Sequence, residues 1–297
     1  MIVHQHKSLQ GEMHRDHPLA SYTSFQAGGS AEIFYRPMDM NDLRTFLEML
    51  PENSQLTWLG LGSNTLVREG GIKGAVICTR KTLGKISVQG NQVYAEAGVS
   101  CAKLAKVLAR YGLSGGEFFA GIPGTVGGAL AMNAGAFGSE TWDFVEEIEV
   151  IHRDGKITAA GREAFDVGYR NVMIPEDQWF CAARFVFHTE SSESARSNIR
   201  NLLYKRNTSQ PIGLPSFGSV FKNPEGEHAA KIIERCGLKG YRVGGAYVSD
   251  KHANFIINSG TATAEDAVKL IEYIQGVVKE QTGYFLEPEV RIIGDAP

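Results

Sequence analysis

Apolar positions along the chain recur with two periods, and the two alternate. Leu43, Phe46, Leu47 and Leu50 stand at helical spacing and predict a short amphipathic helix that Pro51 ends. "TWLGLGSN" reads as a strand running into a turn, and Ile72–Cys78 as a further strand. "KISVQGNQVYAEAG" is a hairpin turning at Gly90-Asn91. Ser100 is placed to cap a helix with Leu104, Leu108 and Tyr111 on its apolar face and Gly112 closing it. "VEEIEVIHRDGKIT" is a second hairpin, turning at Asp154-Gly155, and "FCAARFVFH" is a buried strand. A polar run, "TESSESARSN", then starts a helix through Ile199, Leu202 and Leu203 and marks the boundary between two halves. Helices follow over 229–236 and 264–279, the second opening on Thr263 and Asp266 as a capping box, before a final strand in "PEVRII". The pattern is mixed α+β, with hairpins in the first half.

Composition narrows the function classes. The 297 residues are 43% hydrophobic and 21% charged, enough apolar material for two or three domains. A net charge of −3 argues against general affinity for nucleic acid or anionic membrane, while leaving room for a local cationic cluster facing an anionic substrate. Cys78, Cys101, Cys181 and Cys236 form no CxxC pair and no zinc spacing, which fits reduced thiols in the cytosol. His4, His6, His14 and His17 sit in a polar extension without Cys companions, so a leader is preferred to a metal site. No basic head precedes an apolar core, hence no secretory signal is expected.

One stretch requires a decision of its own. "GIPGTVGGALAMNAGAFG" lies in a run, Phe118 to Ser139, with no formal charge, long enough to cross a bilayer. Gly121, Gly124, Gly127, Gly128 and Gly135 each cost about 1 kcal/mol in a helix, and Pro123 about 3 kcal/mol. Asn133 adds a polar group, and no aromatic and cationic belts flank the run, so it is not a membrane helix. That leaves a linker or a loop lying against a ligand.

The chemistry-bearing candidates are glycine turns and scattered polar groups. In "GLGSNT" Gly60 and Gly62 begin a dinucleotide fingerprint, but Thr65 takes the place of the third glycine and no helix follows, so the Rossmann reading fails. A P-loop is absent too. Backbone amides of two glycine turns, with Ser63, Asn64 and Thr125, remain suited to phosphate oxygens; tight structural turns are the alternative. "LPSFGSVFKNP" is no nucleophile elbow, because Phe221 stands where a glycine is needed, yet it groups Ser219, Lys222 and Asn223. Arg170 in "GYRNV" and Glu287 and Glu289 in "LEPEVRII" read singly as surface groups.

Taken in order, "TSFQAGGSAE", "GLGSNTLVREGGIKGAVI", "GIPGTVGGALAMNAGAFG", "GYRNV", "PSFGSVFKNP", "AAKIIERCGLKGYRVGGAYVSDKHANFIIN" and "LEPEVRIIG" resemble the UDP-N-acetylenolpyruvoylglucosamine reductases, the MurB family, from Tyr22 to Gly294. The resemblance implies an α+β fold with a two-part FAD-binding half of the vanillyl-alcohol-oxidase (PCMH) type and a C-terminal substrate domain. Residues 1–20 become a flexible leader, 21–80 and 81–190 the flavin subdomains, and 191–297 the UDP-sugar domain, its last strand returning to the first subdomain. It implies non-covalent FAD contacted by Gly60, Gly62, Ser63, Asn64 and Thr65, and by Gly121, Ile122, Pro123, Gly124, Thr125, Gly128 and Asn133. NADPH is the implied hydride donor and UDP-N-acetylglucosamine enolpyruvate the substrate, in the cytoplasm, by a monomer without nucleic-acid, membrane or metal partners. The implied catalytic groups are Arg170 and Glu289, holding the substrate carboxylate, and Ser219, protonating the alpha carbon. Tyr169, Asn223, Lys239 and His252 match positions near the nucleotide-sugar, with a plain surface contact the alternative for His252. The chain departs from the family pattern at Gln26, Val172 and Ile174, and between Phe185 and Asn207 it lacks room for an inserted substrate loop, as in the shorter branch. A flavin oxidase acting with oxygen, and a nucleotide-sugar binding protein without turnover, stay open as alternatives.

Overall fold

Local chemistry becomes structure most directly at two helix starts in the computed structural model, which describes residues 8–297. In chain order the helices are α1 (Met40–Met49), α2 (Cys101–Arg110), α3 (Val126–Met132), α4 (Ser192–Ser209), α5 (Ala229–Arg235) and α6 (Ala264–Thr282). The Ser100 hydroxyl accepts from the Lys103 amide at the start of α2. Thr263 and Asp266 bond each other's backbone amides reciprocally at the start of α6. Both caps satisfy donors that a helix start leaves orphaned. Gly283 ends α6 at a φ of 76°, where a side chain would be strained.

The described chain divides into two compact units. The first comprises the segment through Arg15, Ile33–Gly60 and Gly74–Leu202; the second comprises Asp16–Glu32, Leu61–Lys73 and Leu203–Pro297.

The first unit carries most of a four-stranded sheet in the order Glu12–Pro18, Ser30–Arg36, Ile72–Cys78, Leu56–Leu59. Its core packs Leu43, Phe46 and Leu47 of α1 against Tyr35, Ala75 and Ile77. Tyr35 stacks on Phe46 at 3.8 Å and donates its hydroxyl to the Asp42 carboxylate. A five-stranded antiparallel sheet follows, ordered Ile157–Gly161, Val145–His152, Gln178–Val186, Gln92–Glu96, Ile86–Gln89. Its apolar face buries Val93, Ile148, Val150 and Phe185 with Leu104 and Leu108 of α2 and Leu130 of α3. Both predicted hairpins occur here, with Gly90 and Gly155 at positive φ in their turns.

The second unit centres on α5 and α6, which pack against an antiparallel sheet of Arg242–Val243, Ala246–Val248 and Ile256–Asn258. Phe25 and Leu66, from the two early segments, are fully buried in the same core. Arg291–Ile293 pairs in parallel with Thr65–Val67. Glu69 accepts from the Ala264 amide at the start of α6.

Four expectations need correction. The flexible leader expected over residues 1–20 does not hold at Glu12–Pro18, which is a strand, because backbone pairing to a neighbour stabilises a polar stretch that no apolar alternation marks. His14 lies 6.3 Å from the Phe34 ring and His17 bonds the Tyr22 hydroxyl at 3.2 Å, whereas His4 and His6 fall outside the described residues. The polar run near 189–198 is no clean boundary, since the division of the chain falls within α4, between Leu202 and Leu203, and the second unit includes two earlier segments. Tyr111 is exposed rather than on the buried face of α2, because the helix is already closing there. The glycine-rich stretch is not all loop: Thr125 caps α3, its Val126, Ala129 and Leu130 are buried, and Asn133 closes it in the left-handed region at φ 43°. No helix among the described residues is long and apolar enough to cross a membrane.

Candidate active site

In the first unit, the turn before α3 and the end of the Leu56–Leu59 strand meet. A Cβ at Gly60 would lie 2.6 Å from Thr125 Oγ1, so only glycine allows this approach. A Cβ at Gly121 would lie 2.9 Å from the Phe137 ring. The intervening backbone is fixed from below: Cys101 N–H donates to Gly124 C=O, Val126 N–H to Val99 C=O and Gly127 N–H to Ala97 C=O. Thr125 is 2% exposed, and its hydroxyl accepts from Gly128 N–H at 3.4 Å. Ile122 and Pro123 lie in the same turn. An uncharged wall of glycine backbone and one hydroxyl fits a planar, diphosphate-bearing cofactor, which backbone dipoles can hold without a buried cation.

Asn133 is a hub behind this wall. Its Nδ2 donates to Glu140 Oε2 at 2.8 Å and Gly168 C=O at 3.2 Å, and its Oδ1 accepts from Trp142 N–H at 3.2 Å. Buried to 4% exposure, it engages its amide within the protein. Its carbonyl and that of Gly135 accept from the Arg170 guanidinium at 3.2 and 2.8 Å, and Glu140 pairs with Arg170 at 3.5 Å. Tyr169 and Arg170 form the tip of the hairpin that pairs Asp166–Gly168 with Asn171–Met173. Arg170 holds φ at 53°, an uncommon conformation for a side-chain-bearing residue, and its guanidinium sits 5.0 Å over the Tyr169 ring. Val172, one of the family departures, is buried within that hairpin.

In the second unit, Ser219 and Glu289 are joined through backbone. Glu289 N–H donates to Val220 C=O at 2.8 Å, and Lys222 N–H to Glu287 C=O at 2.9 Å. The Asn64 side-chain amide donates to Glu289 C=O at 2.9 Å, while Asn64 C=O accepts from Arg291 N–H at 3.0 Å. Gly218 adopts a φ of 78° and stands against the Ser63 carbonyl, and Gly62 is also left-handed, with its carbonyl accepting from Ser24 N–H. Thus Gly62, Ser63, Asn64 and Thr65 belong with Ser219 and Glu289, whereas Gly60 belongs with Thr125. The Ser219 hydroxyl has no hydrogen-bond partner among the described residues. Gln26, another departure, is exposed at a φ of 61°.

The remaining sequence candidates already have protein partners. Asn223 Oδ1 accepts from Ala229 N–H at the start of α5, and Lys239 is paired with Glu234. Lys222 pairs with Glu287 at 2.6 Å. His252 stacks edge-on against Phe255 at 4.9 Å, and its Nδ1 is buried without a hydrogen-bond partner. Burial pushes its pKa below the ordinary imidazole value, and the neighbouring Lys239 acts in the same direction. All four cysteines are free thiols; burial pushes Cys101 and Cys181 up to about 12.

Sequence reasoning missed Asn254 and Asn258, at 4% and 5% exposure. Asn258 donates to Phe25 C=O and accepts from Gly260 and Ala262 N–H groups. Their signal was present in "ANFIIN", where two amides bracket an apolar run and therefore need buried partners.

An FAD binding domain model matches residues 31–161, and the C-terminal domain model of UDP-N-acetylenolpyruvoylglucosamine reductase matches 210–293. With the geometry above, the fold and site define an FAD-containing oxidoreductase built on a two-part PCMH-type flavin half. A UDP-N-acetylenolpyruvoylglucosamine reductase of Alkalilimnicola ehrlichii is 51% identical over 296 residues, covering 100% of this chain and 99% of that relative. One of Methylococcus capsulatus is 51% identical over 280 residues, covering 94% and 92%. The crystal structure of the MurB enzyme from Thermus caldophilus superposes with a TM-score of 0.83 at 32% identity, covering 97% of this chain and 100% of that one. The chain belongs to the UDP-N-acetylenolpyruvoylglucosamine reductase family.

Proposed function

We propose that the chain reduces the enolpyruvyl ether of UDP-N-acetylglucosamine to its lactyl ether, giving UDP-N-acetylmuramate for peptidoglycan synthesis, with NADPH as reductant. FAD, when bound, supplies the hydride chemistry that connects nicotinamide to sugar. The protein itself must hold the substrate carboxylate and deliver a proton. Family membership along the whole chain supports the reaction. The observation that carries the site assignment is the bond from Glu289 N–H to Val220 C=O, which ties a carboxylate-bearing segment to the residue after Ser219, whose hydroxyl has no partner among the described residues.

In this reading Arg170 and Glu289 hold the substrate carboxylate as negative charge develops beside it. A guanidinium already anchored on two carbonyls needs little reorganisation to do so. Ser219 protonates the alpha carbon. A serine hydroxyl is a feeble acid in water, and it can donate only when fixed within hydrogen-bond reach of a strongly basic enolate. Tyr169, Asn223, Lys239 and His252 contact the nucleotide-sugar, with Lys239 exchanging Glu234 for phosphate. Gly60, Gly62, Ser63, Asn64, Thr65, Gly121, Ile122, Pro123, Gly124, Thr125 and Gly128 line the flavin, and Asn133 acts behind them by holding Arg170. The chain acts as a cytoplasmic monomer.

The test is anaerobic. NADPH should bleach the flavin and UDP-N-acetylglucosamine enolpyruvate should restore its colour. In Ser219→Ala, bleaching should persist while recovery slows by about 10²–10⁴-fold. Bleaching without recovery in the unsubstituted protein rejects the substrate, and recovery driven by oxygen instead returns the oxidase reading. Unimpaired recovery in Ser219→Ala removes the serine from the chemistry.

A further inference from the structure

Asn254 is a buried polar side chain outside every role assigned above. Its Oδ1 accepts from Phe221 N–H at 3.0 Å, and its Nδ2 donates to Phe221 C=O at 2.8 Å. Its own carbonyl accepts from Val220 N–H at 2.9 Å. The side-chain amide thus treats Phe221 as a neighbouring strand would, satisfying donor and acceptor of one residue together. Residues 287–290 complete the set, with Glu289 N–H on Val220 C=O and Glu287 C=O on Lys222 N–H. Every backbone polar group from Val220 N–H through Lys222 N–H is therefore bonded, and the side chains of Val220 and Phe221 are 1% exposed. Directly before this fixed run stands Ser219, and before it Gly218 in the left-handed region.

We propose that Asn254 is a positioning residue for Ser219: it fixes Val220 and Phe221 so that the serine hydroxyl is presented at one place for proton delivery. The proposal rests on Ser219 being the proton donor. Only a neutral amide meets the demand, because Phe221 presents an N–H and a C=O to the same side chain. Asn254→Asp keeps the shape and the acceptor but turns the donor into a second acceptor facing a carbonyl.

The experiment uses the FAD-loaded full chain, with the two half-reactions followed separately by anaerobic stopped flow. Asn254→Asp should slow reoxidation by UDP-N-acetylglucosamine enolpyruvate by on the order of 100-fold, as a small displacement of a reacting group does. Reduction by NADPH, and the affinity of the oxidised protein for UDP-N-acetylglucosamine enolpyruvate measured by calorimetry, should stay at their unsubstituted values. Amide hydrogen exchange should accelerate in the peptide spanning 217–223 and not elsewhere. In a Ser219→Ala background, Asn254→Asp should add no further slowing, because a positioning residue cannot act through an absent hydroxyl. Further slowing there, or equal slowing of both half-reactions in the single variant, would overturn the proposal. If Ser219→Ala itself reoxidises normally, the serine reading fails; if Ser219→Ala is slow and Asn254→Asp is normal, the positioning role alone fails. Should the introduced carboxylate prevent folding, Asn254→Ala removes both bonds without adding charge and is held to the same outcomes.

Discussion

Residues 121–133 in the first unit and 218–222 in the second both carry groups on which the proposed function draws, but they are held by different means. The first is a local construction: a glycine turn, the cap Thr125, a two-turn helix and the hub Asn133 follow one another in sequence. The second is a knot of distant pieces, in which Asn64, Val220, Asn254 and Glu289 are bonded across the whole unit. A cofactor common to many proteins can be met by backbone of one short motif. In the proposed function the proton donor and the carboxylate act on a particular substrate and need placement relative to each other, which bonds between distant segments supply.

The local construction should break hardest at its hub. Asn133→Ala strands Trp142 N–H, Gly168 C=O and a carboxylate oxygen of Glu140, and puts alanine at a φ of 43°. A loss of about 4 kcal/mol in denaturant unfolding is expected, and a loss below about 1 kcal/mol would dismiss the hub. Gly60→Ala forces a methyl against Thr125 Oγ1, with about 2 kcal/mol of overpacking strain expected and less FAD retained on purification, read from the flavin absorbance. The distant knot is probed by Asn64→Ala, which deletes the bond to Glu289 C=O. That should cost about 1 kcal/mol of stability and slow reoxidation by the sugar more than reduction by NADPH. Equal effects on both half-reactions would erase the contrast between the two regions.

The smallest expected effect is a pH slope. His252 in the folded chain takes up its proton at lower pH than in the unfolded chain, where the value is about 6.5. Below that pH the unfolded state binds more protons, so stability should fall on acidification. His252→Phe, which keeps an aromatic ring against Phe255, should flatten the slope of unfolding free energy between one pH above and one below the ordinary imidazole value. An unchanged slope assigns it to other groups.

What was legible in the sequence follows the same division. Ser100, Thr263 and Asp266 act on amides three residues away, so their caps can be read directly from the chain. The hairpins at Gly90 and Gly155 are likewise local. The strand Glu12–Pro18 is exposed along nearly all its length, and no alternation announces it; its reason is a partner strand. Resemblance picked out Ser219 and Glu289, but no spacing rule yields the Val220 bond between them. Asn254 escaped for a related reason: an asparagine before an apolar run looks like a turn residue until Phe221 is seen to need both ends of its amide.

The bond from Asn64 to Glu289 spans 225 residues of chain. On a ribosome adding about 5–20 residues per second, roughly 10–45 s separate synthesis of those two partners. Through that interval Thr65–Val67 lacks its parallel partner strand, and Leu66, fully buried in the finished core, stays uncovered. The second unit therefore cannot be completed until its last strand has been made, leaving the nascent chain with an apolar segment that chaperones and proteases can reach.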